Sequence, residues 1–401
     1  MSLSSRRTIY FLSLAELLGM SVWFSASAVV PALSEEWGLS SSGQAWLTMA
    51  VQLGFVLGAF GSAVLNLADR MPGPRFFCVA SSAAALLTAL LPACSRGLNS
   101  AVLLRFLAGI ALAGVYPIGM KIMATWTREN RGWGIGLLVG ALTIGSVAPH
   151  LIKAVGGISN WRIVLYASAG LAALGGLIAG LFLREGPYRA DSPRFDWRYA
   201  GRSWKQPALV LANVGYFGHM WELYAMWTWV PAFLVSSFRL SGVTDLWASI
   251  AGFAVISVGG TGCLIAGKLA DTYGRTTVTI ASLAVSGACC LAVGLLYGRS
   301  PAGLSALCLI WGFSVVADSA QFSAAVSELA PSERTGTALT LQTSLGFLLT
   351  IVTIRLIPSL ERTLTWRWAF ALLAAGPAAG IWAMAKLRQL PEAAKMASGR
   401  R

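Results

Sequence analysis

Residues Gly267 to Arg275 read GKLADTYGR, and residues Leu65 to Arg75 read LNLADRMPGPR. The shared LAD core returns after roughly 200 residues, and other segments return with it. NWRIVLYASAGLAALGG from Asn160 is echoed by TWRWAFALLAAGPAAG from Thr365. SVWFSASAVVPAL, ending at Leu33, is echoed by WELYAMWTWVPAF, ending at Phe233. One unit is therefore written twice in a chain of 401 residues.

Each copy is built of apolar runs. The chain is 56% hydrophobic and only 11% charged, against about 25% charged in soluble domains. Runs of about 20 apolar residues mark transmembrane helices. Twelve are predicted, near 8–31, 43–66, 76–94, 98–122, 132–154 and 161–183, then 207–234, 246–266, 277–297, 302–325, 336–358 and 366–385. The expected fold is an all-α membrane protein of two pseudo-symmetric six-helix bundles, residues 1–183 and 207–401. A polar linker, 184–206, joins them. Arg6, Arg7 and the following apolar run imitate a cleaved leader, but the run reaches Pro31 and contains Glu16, so it reads as the first span.

The net charge of +14 has a topological explanation. Most of the 30 Lys and Arg fall on alternate loops, which places both termini and the linker in the cytoplasm and the chain in the cell's inner membrane. Charge scattered over loops suits anionic lipid, not nucleic acid. The 6 cysteines lie in or beside apolar runs without metal-ligand spacing. No metal or cofactor is implied. No G-x-x-x-x-G-K-[ST] loop exists for nucleotide, and no nucleophile–base constellation appears at either membrane face, so an enzyme has no basis here.

The loop GKLADTYGR, through Gly267, Asp271, Gly274 and Arg275, resembles the signature loop of the major facilitator superfamily. The first-half copy keeps Asp69, Arg70 and Arg75 but has Leu65 where glycine is expected and an extra residue within Met71 to Pro74. RFLAGIALAG in helix four, with Arg105 and Gly109, is similar to the superfamily's arginine motif. The resemblance covers the whole chain. It implies a secondary transporter working by alternating access, expected as a monomer. Helices one, four, seven and ten would line a central cavity, and the signature loops would hold a cytoplasmic gate. Asp69 and Asp271 would then meet the starts of helices eleven and five, where the helix dipole favours an anion. Arg334 and Arg131 begin those two helices.

Charges inside spans are costly and mark function by default. Glu222 lies about fifteen residues into helix seven, near mid-membrane at 1.5 Å per residue, with His219 one turn away. A carboxyl in low dielectric can load and release a proton, and an imidazole can relay it. Glu222 and His219 are the first candidates for proton coupling, with Glu16 and Asp318 next; a satisfied structural hydrogen bond remains open for each. Arg105 and Lys121 are candidates for compensating a negative solute, and Arg105 equally for a structural role. Tyr116, Tyr216, Tyr224, Trp227, Trp23, Gln52, Asn213, Gln321 and Gln342 are candidate cavity walls. His150, Lys153 and Arg355 sit near the outer ends of their helices, either snorkelling or forming a basic vestibule.

The stretch GVYPIGMKIMATWTRENRGWGIG, with Tyr116-Pro117, Lys121, Trp126 and Arg131-Gly132, is similar to anion-handling branches of the superfamily. Drug–proton antiporters usually show a GPxxGG turn late in helix five; GSVAPHLIK stands there instead. The expected solute is a small organic anion moved with protons. Proton-driven efflux of drugs or metabolites is the alternative.

Overall fold

The computed structural model describes residues 3–127, 131–155, 160–188 and 195–401. All regular elements among them are helical. This follows from composition: in an apolar surround each backbone N–H and C=O must be satisfied within its own segment. Among the described residues, nine helices are long and apolar enough to cross a membrane. The chain divides into two compact units, Met1–Ser192 and Pro193–Arg401; the division falls inside the expected linker.

The first unit comprises α1 (Leu3–Met20), α2 (Ser25–Ala28), α3 (Val30–Trp37), α4 (Ser41–Val64), α5 (Leu67–Arg70), α6 (Gly73–Cys94), α7 (Leu98–Leu112), α8 (Tyr116–Trp126), α9 (Arg131–Val155) and α10 (Trp161–Phe182). The first predicted span is thus not one helix but three pieces. Helix four is α7 and α8, separated by a turn.

The second unit comprises α11 (Trp197–Ser203), α12 (Pro207–Leu240), α13 (Asp245–Tyr273), α14 (Arg275–Ala292), α15 (Pro301–Ala317), α16 (Ser319–Leu329), α17 (Thr335–Ala369) and α18 (Ala375–Gln389). Helix ten is α15 and α16, broken at Asp318. Thr365 interrupts α17 with φ 59°, a left-handed conformation unusual for a β-branched residue. Its hydroxyl accepts from Arg367 N, starting the next helical segment. Helix seven, counterpart of the broken first span, runs unbroken as α12.

The duplication is visible in packing. Gly109 on α7 lies so close to the Val51 backbone of α4 that a Cβ would collide with its carbonyl. Gly312 on α15 stands in the same relation to Val255 on α13. Small residues at these crossings let helices approach without a hydrophobic driving force between them.

Candidate functional site

In the first unit, the segment Ser21–Phe24 between α1 and α2 is a string of turns, with Trp23 N bonding Met20 O and Ser25 N bonding Val22 O. Ser21 and Ser25 turn back onto the Leu18 and Val22 carbonyls (2.7 and 2.8 Å), and Arg105 reaches the same segment. Its Nε donates to Leu47 O (3.3 Å), Nη1 to Val22 O (2.9 Å) and to Ser25 Oγ (3.3 Å), and Nη2 to Trp23 O. The guanidinium is 1% exposed and supplies donors to the turn between α1 and α2 and to the Leu47 carbonyl of α4. A planar fork suits several acceptors at once. Lys153 Nζ donates to Ala28 O (3.1 Å) farther along the same broken span. Helices four and five therefore both reach the broken part of helix one. Trp23 packs edge-on against Phe55 (centroids 5.2 Å), and Gln52 is buried one turn before it on α4.

Glu16 precedes the break and is fully buried. Neither carboxyl oxygen has a hydrogen-bond partner among the described residues. A Cβ at Gly119 of α8 would collide with its Oε2, so that glycine leaves the carboxyl its room. Lys121, two residues on, turns elsewhere: its Nζ donates to Ala68 O (2.7 Å) in the first-half signature segment. Tyr116 stands at the first position of α8. His150 is half-buried and Arg355 exposed.

The second unit holds the densest buried polar cluster. Glu222 of α12 is fully buried. It accepts from Ser286 Oγ (2.9 Å) and Cys290 Sγ (3.1 Å) on α14, and from Trp311 Nε1 on α15. His219, on the same helix, faces a different partner. Its Nδ1 lies 2.9 Å from Asp318 Oδ1, both side chains 1% exposed. Its Nε2 lies 2.9 Å from Ser319 Oγ. Both partners sit where α15 gives way to α16. The sequence spacing put His219 beside Glu222; the structure gives each its own contacts. Ser286, Cys290, Trp311 and Ser319 carry no sequence signal, because in an apolar helix they read as packing.

Beside the cluster, Tyr216 stands 6.2 Å from the His219 ring, centroid to centroid, and meets α17 at Gly346, where a Cβ would collide with the ring. One helical repeat on, Tyr224 packs against Trp227 (5.3 Å) and Phe347 of α17 (5.0 Å). Two amides on this pair of helices are buried without a hydrogen-bond partner among the described residues: Asn213 Oδ1, and both polar atoms of Gln342. A buried polar group left unmet costs about 1–3 kcal/mol, and such orphans mark places where water or a ligand belongs.

The second signature loop forms a distinct cluster. Gly274 adopts φ 92°, which favours glycine. It ends α13 and sets Arg275 at the start of α14. Arg275 grips Glu328 bidentately (2.7 and 2.6 Å), donates to Gln321 Oε1 (2.8 Å) and lies 3.7 Å from Asp271. Gln321, expected in the cavity wall, is thus engaged at the loop. Gly267 is buried within α13. Glu328 also accepts from Ala397 N (3.1 Å), and Thr276 Oγ1 donates to Arg401 O (2.9 Å), so residues after α18 pack on this loop. In the first-half copy Arg70 and Arg75 are exposed, and Thr125 occupies the place in α8 that Glu328 holds in α16. The side chains of Asp69 and Arg131 lie outside the described residues. Arg334 pairs with Asp196. Among the described residues no group of His, Cys, Asp and Glu could hold a metal ion.

Comparison with known proteins agrees with this architecture. The profile of the Major Facilitator Superfamily matches residues 12–354. A 4-hydroxybenzoate transporter, PcaK, of Pseudomonas aeruginosa is 30% identical over 151 residues, 37% of this chain and 32% of the relative. The niacin transporter NiaP of Acinetobacter baylyi is 26% identical over 254 residues, 52% and 54%. A gallate transporter of Pseudomonas putida is 24% identical over 304 residues, 67% and 66%. The chain spans from about a third to about two thirds of the length of these relatives.

Proposed function

This chain belongs to the major facilitator superfamily, is integral to the membrane and is not an enzyme, and on that footing we propose that it is a proton-coupled transporter of a small aromatic carboxylate, working by alternating access. The observation that carries the choice of solute is the common chemistry of the named relatives. 4-Hydroxybenzoate, niacin and gallate each join an aromatic ring to a carboxylate. Aromatic faces suit such a ring, and unmet amides suit its polar groups. The wall of Tyr216, Tyr224 and Phe347 with the orphaned amides of Asn213 and Gln342 offers both.

For coupling, the His219–Asp318 pair is the favoured centre and Glu222 its neighbour. A proton taken up by Asp318 would remove the attraction that holds His219 against it. Because Asp318 is where helix ten breaks, that loss acts on the packing of α16 against α12. Glu222, met by three donors, anchors α12 to α14 and α15. Glu16 is the corresponding candidate in the first unit, a buried carboxyl whose oxygens have no hydrogen-bond partner among the described residues. The gate function of the signature loops belongs to this same proposal and rests on the Arg275–Glu328–Asp271 cluster. The test is uptake of labelled 4-hydroxybenzoate into proteoliposomes. An inward proton gradient should drive accumulation that a protonophore abolishes. Dye export without carboxylate uptake would favour efflux instead.

A further inference from the structure

A recess of about 250 Å³ opens beside the linker helix, lined by Asp196, Arg198, Tyr199, Arg202 and Arg334. Asp196 builds it. Its carboxylate caps α11 by accepting from Arg198 N (2.8 Å) and Tyr199 N (3.0 Å), and it pairs with Arg334 just before α17. Its own N–H donates to Thr337 Oγ1 (3.1 Å). The linker is thereby fastened to the start of helix eleven with three guanidinium groups around one carboxylate. The wall carries a net charge of +2, from three arginines less one aspartate. Tyr199 contributes the second feature. It is 8% exposed, and its buried hydroxyl has no hydrogen-bond partner among the described residues.

We propose that this recess binds a phosphate group, with Arg198, Arg202 and Arg334 supplying the charge and the Tyr199 hydroxyl donating at the buried end. The reasoning is chemical. The volume exceeds that of several waters, each about 30 Å³. The N–H groups at the start of α11 are already taken by Asp196, so recognition falls to side chains. Guanidinium forks match phosphate oxygens in pairs. A phosphate's negative charge offsets the positive wall, and its oxygens satisfy the orphaned hydroxyl. A phospholipid headgroup and a free inorganic phosphate share this chemistry, and basic pockets at membrane surfaces commonly take the former. Since Arg334 belongs to both the recess and the proposed gate, occupancy would steady the linker against helix eleven.

The experiment uses the full chain in a phosphate-free maltoside detergent, with and without added phosphatidylglycerol, and inorganic phosphate titrated against chloride at equal ionic strength. Thermal unfolding is the readout, because a ligand of the folded state raises its stability. Phosphatidylglycerol or phosphate should raise Tm, and whichever probe acts identifies the source. The exposed pair Arg198→Gln/Arg202→Gln should erase the rise. Tyr199→Phe, which removes only the hydroxyl, should weaken apparent affinity about tenfold, the factor that corresponds to one hydrogen bond to a charged group. A rise of full size in the double variant, or none with either probe in the unaltered chain, overturns the proposal.

Discussion

His219 and Asp318 meet at 2.9 Å in the interior of the second unit, and Asp318 is the residue at which α15 ends and α16 begins. A buried histidine–carboxyl pair thus sits on a discontinuity in the backbone. Removing one partner of a buried pair costs about 3–5 kcal/mol. Asp318→Ala should destabilise by that order in thermal or denaturant unfolding. Asp318→Asn, which keeps a polar contact, should cost much less.

Arg105 should behave as a structural residue of helix one. Arg105→Ala removes a donor from the carbonyls of Val22, Trp23 and Leu47 and empties a buried site, and a buried polar group left unmet costs about 1–3 kcal/mol. Lysine, a single ammonium, should recover only part of the loss. Stability is the readout that distinguishes roles. A solute ligand would lose affinity on substitution while melting normally.

Close helix crossings give a paired prediction. Gly109→Ala and Gly312→Ala place a methyl against the Val51 and Val255 carbonyls respectively. Overpacking of this kind costs about 1–3 kcal/mol. Both variants should lower the melting temperature, and by similar amounts, because they occupy matching places in the two repeats.

The linker contact should resist acid. The N–H of Tyr199, then that of Arg198 and the charge of Arg334, hold the Asp196 carboxyl below the usual carboxylate range. A carboxylate lowered in the folded state stabilises it fully above the unfolded value, about 3.9. That contribution fades only as pH falls through the lower folded value. Hydrogen exchange over α11 should therefore stay protected from neutral pH down to about 5, and Asp196→Ala, which removes the capping acceptor, should lose the protection at every pH.

Much of this was legible in the chain itself. The repeated LAD loops exposed the duplication, and the cost of charge in lipid singled out Glu16, Arg105, His219, Glu222 and Asp318 before any coordinates. What the residues could not disclose was where each side chain turns. His219 and Glu222 are three apart on one helix, yet a small difference in azimuth sends one to Asp318 and the other to Trp311. The break at Ser21–Phe24 carries only a weak local signal, the back-bonding serines Ser21 and Ser25, and Arg105 meets it from a helix far away in sequence. The Lys121 charge is legible as a candidate for a negative solute, but its contact with Ala68 O is not. Tyr199 and Asp196 lay in a linker whose charge was read as topology alone.

The most direct measurement compares two modes of transport in proteoliposomes carrying Asp318→Asn. If Asp318 with His219 couples protons to solute, accumulation of 4-hydroxybenzoate under an inward proton gradient should vanish while solute counterflow, which needs no net proton movement, persists. Gradient-driven accumulation at the level of the unaltered protein would contradict the account.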